Sequence, residues 1–370
     1  MVSFVLVPGA GGMAWYWHRT PLIRATARNH LPVHAALADL WMLMKVVVAA
    51  LFTLMMFAGP ALAAGFQHLL VPGPDHEIFE VGIWYPSNAA PSPQAAGPIT
   101  QNVATGGAIE GSGLPLIVIS HGSGSAYLAH YDTALALAQA GFVVAALTHP
   151  GDNNRDESRF IEAPVNRPRE VSRLLDYMLA AWPEHDRVDP NRIGVFGFSS
   201  GGFTALVLVG GVPDMKRESE FCAQYPQDWP CRMASNHKNG SSESSTPPAA
   251  WVHDNRIKAA VIAAPSLGPT LTQAGLTDVH VPIQLWRGAD DPILRNPYFA
   301  QAIYDALPTK PEYHVVPRAG HFSFIAPCPS ELAHVAPEVC NDEPGFDRAL
   351  FHTEFDRAVV SFFRSHLADH

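Results

Sequence analysis

The stretch Gly197-Phe198-Ser199-Ser200-Gly201 lies between one apolar run, 192–196, and a second that begins at Gly202. This order predicts a strand, a sharp turn and a helix, and a serine in such a turn has its hydroxyl lifted clear of the backbone. Glycines two residues to either side of the serine remove the Cβ atoms that would collide there. The stretch therefore predicts that Ser199 is a nucleophile; the alternative is a Gly/Ser-rich loop that merely joins two elements.

The length and composition predict one large α/β domain with a substantial core. The chain has 370 residues, of which 48% are hydrophobic and 16% are charged. A single domain of this class can account for that length. The formal net charge of −10 argues against a nucleic-acid partner, because binding to phosphates needs clustered lysine and arginine side chains.

Residues 44–63 have the pattern of a signal peptide that begins inside the chain. Met44-Lys45 is followed by the uncharged stretch 46–58 and then by Ala61-Leu62-Ala63-Ala64. A short positive start, an apolar core and an A-x-A site are typical of export signals. The stretch is also about long enough for a membrane anchor, but its small residues favour cleavage. We therefore expect a periplasmic or secreted protein that starts at Ala64 and keeps no stable membrane span.

All four cysteines follow the predicted cleavage site. Four cysteines allow three pairings, and the short spacings favour Cys222 with Cys231 and Cys328 with Cys340. Such bridges fit an oxidising compartment. None of the spacings is the C-x-x-C of a metal or redox site.

Predicted strands and helices alternate along most of the chain. The strands are 78–86, 114–119, 142–147, 192–196, 257–264, 281–286 and 313–316, and the helices are 131–140, 167–181, 297–307 and 347–367. This alternation predicts a mostly parallel sheet with helices on both faces. Two segments interrupt it: 87–113 is predicted to be an exposed loop, and 211–256 an insertion with a disulfide-stapled cap and a flexible section.

The partners of the serine are predicted from their positions after later strands. A serine hydroxyl needs a general base, usually histidine, that a carboxylate orients, and parallel sheets place active sites at the carboxyl ends of strands. His321 follows the last predicted strand and precedes the closing helix, so it is the predicted base. Asp290 and Asp291 both follow strand 281–286; Asp291 is preferred as the acid because it begins a turn with Pro292.

Two backbone N–H groups are predicted to stabilise the tetrahedral oxyanion. One belongs to Ser200, the residue after the nucleophile, and the other to a loop that follows an earlier strand. In the loop His121-Gly122-Ser123-Gly124 the glycines let the backbone turn its N–H groups, so Ser123 is the second predicted donor. Four neighbours are predicted to contact the substrate: His121, Gly122, Phe198 and Phe322.

Seven motifs along the chain occur together in one known family. They are Ile83-Trp84-Tyr85-Pro86, Ser120-His121-Gly122-Ser123-Gly124, Gly141-Phe142-Val143-Val144, His149-Pro150-Gly151-Asp152-Asn153, Gly197-Phe198-Ser199-Ser200-Gly201-Gly202, Gly288-Ala289-Asp290-Asp291 and Gly320-His321-Phe322. Together they resemble exported α/β-hydrolases of the predicted dienelactone hydrolase type, which are similar to the platelet-activating-factor acetylhydrolases. The resemblance covers about residues 66–369 and implies an α/β-hydrolase fold with a Ser-Asp-His triad. Dienelactone hydrolases carry a cysteine nucleophile where this chain has Ser199.

The segment 1–43 is predicted to lie outside the hydrolase domain, which spans 64–370. Its start, 4–12, resembles the first strand and oxyanion loop of a different α/β-hydrolase, but nothing that would complete a second domain follows it. Translation that begins at Met44, or a fragment fused upstream, would explain the segment.

The sequence thus predicts a serine carboxylesterase that needs no metal or organic cofactor and acts on a small-molecule or lipid ester. A lipase or phospholipase A2-like acyl hydrolase is the nearest alternative. A peptidase or amidase with the same triad, and a non-catalytic binding protein on a hydrolase scaffold, are further alternatives.

Overall fold

The computed structural model describes residues 62–73, 77–237 and 251–368. In this part of the chain ten strands form one sheet. In chain order, β1 to β10 are Ala63–Pro72, Ile78–Ser87, Ser92–Ala96, Ile99–Thr105, Leu114–Ser120, Val143–Thr148, Val188–Phe198, Ile257–Ala263, Ile283–Gly288 and Glu312–Val316. Their order across the sheet is β10-β9-β8-β7-β5-β6-β2-β1-β4-β3. The strands from β10 to β6 in that order pair in parallel, and β2 is antiparallel to both β6 and β1.

Helices cover both faces of this sheet. In chain order, α1 to α9 are Tyr131–Gln139, Ala163–Ala180, Ser200–Leu208, Lys216–Gln224, Trp229–His237, Ala300–Ala306, Ser330–Val335, Pro337–Cys340 and Arg348–His366. Alternate residues of β5 point to opposite faces: Leu116 and Val118 pack with α2, α3 and α6, whereas Ile117 and Ile119 pack with α1 and α9. The central strands are therefore buried on both sides, as the unbroken apolar runs predicted.

The edge of the sheet beyond β2 differs from the prediction. Segment 87–113 is not a simple loop, because it holds β3 and β4, which pair antiparallel through a turn at Gly97 with φ +52°. β3 is largely exposed, so its polar composition resembles that of a loop. β1 was also missed, and it joins this edge to the rest of the sheet by pairing with both β2 and β4.

The predicted disulfides are present. Cys222 pairs with Cys231 and links α4 to α5, while Cys328 pairs with Cys340 around α7 and α8. In the predicted insertion, helices α4 and α5 form the described part of a cap, and the polar section 238–250 lies outside the described residues.

The N-terminal predictions fall outside the described part of the chain. This holds for segment 1–43 and for the signal peptide up to residue 61, so both stay predictions. Across residues 62–73, 77–237 and 251–368, no helix combines the length and the apolar character that crossing a bilayer requires.

The closing helix α9 provides a test of the core. Phe355 is fully buried, and its ring packs near those of Trp286, Phe324 and Phe351. We expect Phe355→Ala to lower the free energy of unfolding by about 3–5 kcal/mol, because it leaves a cavity. Leu350→Ala on the same helix is the control: Leu350 is 60% exposed, so its change is expected within about 0.5 kcal/mol. Urea denaturation of both variants measures the difference, and equal losses would contradict this packing.

Candidate active site

Ser199 is the single residue between the end of β7 and the start of α3. Its φ of 54° and ψ of −115° lie in a region that non-glycine residues rarely occupy, so the turn is strained. Two backbone hydrogen bonds hold it: the Ser199 N–H donates to the Ala263 carbonyl oxygen at 2.9 Å, and the Ser266 N–H donates to the Ser199 carbonyl oxygen at 3.0 Å. The serine hydroxyl is therefore presented at the carboxyl end of the central strand.

The two glycines of the pentapeptide are sterically required. A Cβ on Gly197 would lie 2.0 Å from the carbonyl oxygen of Gly201, and a Cβ on Gly201 would lie 1.9 Å from the carbonyl oxygen of Ser120. Both clashes involve backbone atoms, which cannot rotate away. The reason given from the sequence for these glycines is confirmed.

The structure brings the three predicted triad side chains into one hydrogen-bonded chain. Ser199 Oγ lies 3.0 Å from His321 Nε2, and His321 Nδ1 lies 2.8 Å from Asp291 Oδ2. The three residues follow β7, β10 and β9, whose carboxyl ends meet at one edge of the parallel part of the sheet. Asp290, the alternative acid, is exposed, and the carboxylate that reaches the histidine is that of Asp291.

The Asp291 carboxylate is held in its ionised form. Burial raises its pKa, but His321 and the N–H groups of Ile293 and Leu294, which donate to Oδ1 at 2.8 Å, favour the charged form. The balance lowers the pKa of Asp291 below its ordinary value. A carboxylate that is ionised at neutral pH can accept from His321 Nδ1–H and leave Nε2 free to accept from Ser199.

The predicted oxyanion loop lies against the nucleophile. Ser123 Oγ is 2.8 Å from Ser200 Oγ, and a Cβ on Gly122 would be 3.4 Å from the Cβ of Ser199. Ser200 is the first residue of α3, where N–H groups lack partners within the helix. The Ser123 N–H makes no hydrogen bond within the residues that the structure describes.

The structure places His121 away from the cavity, although the sequence predicts that it contacts the substrate. Its side chain is buried beneath the loop, 1% exposed, and does not line the cavity. His121 Nε2 accepts from the His149 N–H at 3.1 Å, so Nδ1 carries the proton and donates to the Gly122 carbonyl oxygen at 2.6 Å. Burial, with the nearby Arg167 charge, lowers the pKa of His121 well below its ordinary value, and the imidazole is neutral. Nothing in the sequence distinguished this buried histidine from an exposed one.

A cavity of about 1650 Å³ opens onto Ser199 and His321. Of the predicted contacts, Gly122, Phe198 and Phe322 line it. Cap residues Phe221 and Trp229 do so as well, together with parts that the sequence did not indicate. Phe160 and Ile161 come from the segment before α2 and Val165 from its first turn. Leu267 and Pro269 follow β8, and Val339 belongs to α8.

The cap is fixed to the segment that carries the acid. Phe221 of α4 packs with Leu294 and Phe299 in a small buried cluster. Beside it, Arg295 Nε donates to Asp228 Oδ2 at 2.6 Å. These contacts begin three residues after Asp291, so the cap and the acid turn are mechanically connected.

Within the described residues, one cluster has metal-ligand chemistry: Asp132, His352 and Asp356 place ligand atoms within 4.8 Å of one another. His352 Nδ1 lies 2.7 Å from Asp132 Oδ2 as an ion pair, which joins α1 to α9. None of the three lines the cavity. The absence of a metal or cofactor from the reaction stays a prediction.

Comparisons with known proteins agree with this architecture. The chain superimposes on a ferulic acid esterase from Streptomyces cinnamoneus with a TM-score of 0.55 and 19% identity, over 84% of this chain and 91% of that one. The chain has the α/β-hydrolase fold. A dienelactone hydrolase from Anabaena variabilis aligns with a TM-score of 0.45 and 16% identity, over 81% of this chain and 98% of that one.

The sequence comparisons are more local. Two cutinases of Thermobifida alba, est1 and est2, are each 35% identical over 82 residues, which is 22% of this chain. The match spans a quarter (25%) of the length of either cutinase. No family model matches the chain.

The close contact at Gly201 gives a prediction for the turn. We expect Gly201→Ala to lower the free energy of unfolding by about 3 kcal/mol or more, because the new Cβ overlaps the Ser120 carbonyl oxygen and the backbone must move. Gly320→Ala is the control, since nothing lies within 4 Å of a Cβ there and its φ is −85°. Denaturant midpoints measure both variants, and similar stabilities would show that α3 can shift away from β5.

Proposed function

We propose that the protein is a serine hydrolase that cleaves carboxylic esters through an acyl-enzyme. The observation that carries the proposal is the continuous chain from Ser199 Oγ through His321 to Asp291, with distances of 3.0 and 2.8 Å. A cavity that opens at the serine adds to it, as does the Ser123 N–H of the adjoining loop, which has no partner among the described residues. The names of the similar proteins, two cutinases and a ferulic acid esterase, also support ester cleavage over other acyl transfers.

In the proposed reaction His321 Nε2 takes the proton of the Ser199 hydroxyl as the oxygen attacks the ester carbonyl. The N–H groups of Ser123 and Ser200 donate to the negative oxygen that develops. His321 then passes its proton to the departing alkoxide, and the acyl group remains on Ser199. Water, deprotonated by His321, attacks the acyl carbon. The bond to Ser199 Oγ then breaks, His321 returns the proton to that oxygen, and the acid is released. Asp291 holds the imidazole and stabilises its charged form.

The size of the cavity favours an ester with an acyl or alcohol part larger than acetyl. Its volume of about 1650 Å³ exceeds the space that a short acetyl ester would fill, and Phe198, Phe221, Trp229 and Phe322 supply apolar wall. These side chains also fit the lipase or phospholipase A2-like alternative. We infer that the substrate is a small-molecule or lipid ester, and that the two disulfides belong to an exported protein, because they require an oxidising compartment.

The test is hydrolysis of p-nitrophenyl esters with acyl chains of increasing length. We expect wild-type activity with the short and medium chains and loss of nearly all turnover in Ser199→Ala, because no other group can form the acyl-enzyme. A rate that rises with chain length and jumps above the micellar concentration would instead indicate a lipase. Activity that persists in a pure Ser199→Ala protein would contradict the mechanism, and a wild type inactive on every ester would favour a binding protein.

The two adjacent aspartates separate the proposed acid from its neighbour. We expect Asp291→Asn to lower kcat by about 10⁴-fold, because an amide holds the imidazole in the wrong tautomer. Asp290→Asn is the matched control and should leave kcat within about twofold, as expected for an exposed group outside the hydrogen-bonded chain. Steady-state kinetics on one short ester, with folding checked by circular dichroism, measures both. The opposite ranking would assign the role to Asp290.

A further inference from the structure

A buried arginine lies beneath the proposed oxyanion loop. Arg167 of α2 is 1% exposed. Its Nε donates to Asp152 Oδ2 at 2.7 Å, and its Nη2 donates to the Asp152 carbonyl oxygen at 3.2 Å. The same guanidinium donates to the carbonyl oxygens of His121 and Gly122. One side chain therefore links α2 and the Asp152 turn to two successive peptide groups of the loop.

The Gly122 carbonyl oxygen is held by two donors. Arg167 Nη2 donates to it at 3.3 Å and His121 Nδ1 at 2.6 Å. His121 is itself fixed, because its Nε2 accepts from the backbone N–H of His149. Asp152 adds contacts to the same loop, since its carboxylate accepts from Ser123 Oγ and from the Gly124 N–H, both at 3.3 Å. These groups leave the Gly122–Ser123 peptide little freedom to rotate.

The orientation of this peptide determines where the Ser123 N–H points. In a planar trans peptide the carbonyl and the following N–H point in opposite directions, and this peptide is not among the cis bonds of the described chain. With the Gly122 oxygen directed at Arg167, the Ser123 N–H points away from Arg167. Gly122 packs against Ser199 and the Ser123 hydroxyl reaches Ser200, so the N–H is held beside the nucleophile.

We propose that Arg167, anchored by Asp152, is a positioning residue that orients the Ser123 N–H for the oxyanion. This inference rests on the proposed ester hydrolysis and adds a residue to it. Arg167 acts through the Gly122–Ser123 peptide. The planar, forked guanidinium suits this position because it can bind a carboxylate and two carbonyl oxygens at once, which a lysine ammonium on its flexible stem cannot do in the same geometry.

The first test is Arg167→Lys, which keeps the buried positive charge. We expect kcat to fall by about 10²-fold, the effect of losing one oxyanion donor, with KM within about threefold because ground-state binding is unaffected. The inhibition constant of an alkyl boronic acid, which mimics the tetrahedral state, should rise in parallel with the loss of kcat/KM. The pH dependence of kcat should keep its wild-type shape, since the triad is unchanged. A merely structural role would lower Tm and leave these kinetic readouts unchanged.

Two further variants make the result decisive. Arg256→Lys is the control: Arg256 also pairs with an aspartate, Asp254, and bonds to α2 at the Ser172 carbonyl oxygen, but it does not line the cavity. It should change Tm and leave kcat unchanged. The double variant Arg167→Gln with Asp152→Asn removes both charges together, so neither is left buried without a partner, and it should also lose about 10²-fold in kcat.

A folded Arg167→Lys enzyme with kcat within about threefold of wild type overturns the inference. If that variant does not fold, an unimpaired double variant overturns it equally. Both results require an active wild type, so they leave the proposed function standing. A wild type that cleaves no ester would instead refute the proposed function and this inference with it.

Discussion

The close approach of α3 to the end of β5 is the constraint on which the site depends. With no Cβ on Gly201, the first turn of the helix reaches the carbonyl oxygen of Ser120, where any other residue would keep the two elements apart. Since the proposed oxyanion loop begins directly after Ser120, the same contact brings Ser123 to Ser200 and sets the loop beside Ser199. The strained φ of Ser199 is maintained because β8 holds its N–H through Ala263. Glycine at one position thus fixes the distances between nucleophile, loop and sheet.

The buried charges of Arg167 and Asp152 behind the loop cost free energy of desolvation, and their role is to orient the carbonyl groups of the loop. Taking an arginine and a carboxylate out of water carries a desolvation penalty that their attraction need not repay, so the Arg167–Asp152 pair is weak evidence of stability. Behind it, His149 bridges Ser120 Oγ at 2.8 Å and Glu170 Oε2 at 2.7 Å. Burial raises the pKa of Glu170 to about 7 and lowers that of His149 well below its ordinary value. Hydrophobic side chains beneath the loop would pack as well, but they could not hold its carbonyl groups in a fixed direction.

Sequence patterns predicted the parts of this protein that are set locally or by strand ends. The meeting of Ser199, Asp291 and His321 at one place could be predicted because parallel strands gather their carboxyl ends, so each polar turn after an apolar run was a candidate. The hairpin of β3 and β4 could not be found from alternating apolar residues. β3 is largely exposed, and in β4, where burial does alternate, one of the buried residues is the polar Gln101. The burial of His121 and the contacts of Arg167 depend on side chains far apart in the chain, Arg167 lying 45 residues from Gly122. Contacts of this kind leave no periodic pattern of apolar residues in the sequence.

In the proposed hydrolase, the attachment of the cap couples substrate choice to catalysis. The walls contributed by α4 and α5 shape the cavity, yet Phe221 of α4 rests on Leu294 and Phe299, on the segment that continues from Asp291. Leu294 also donates its N–H to the Asp291 carboxylate. A shift of the cap to admit a larger acyl group therefore also displaces Leu294, which holds the proposed acid. Under the proposed mechanism, changes in the cap that widen the cavity therefore act on kcat as well as on KM. A hydrolase with its acid on an independent turn could vary its cap freely, whereas this architecture ties the range of substrates to the geometry of the triad.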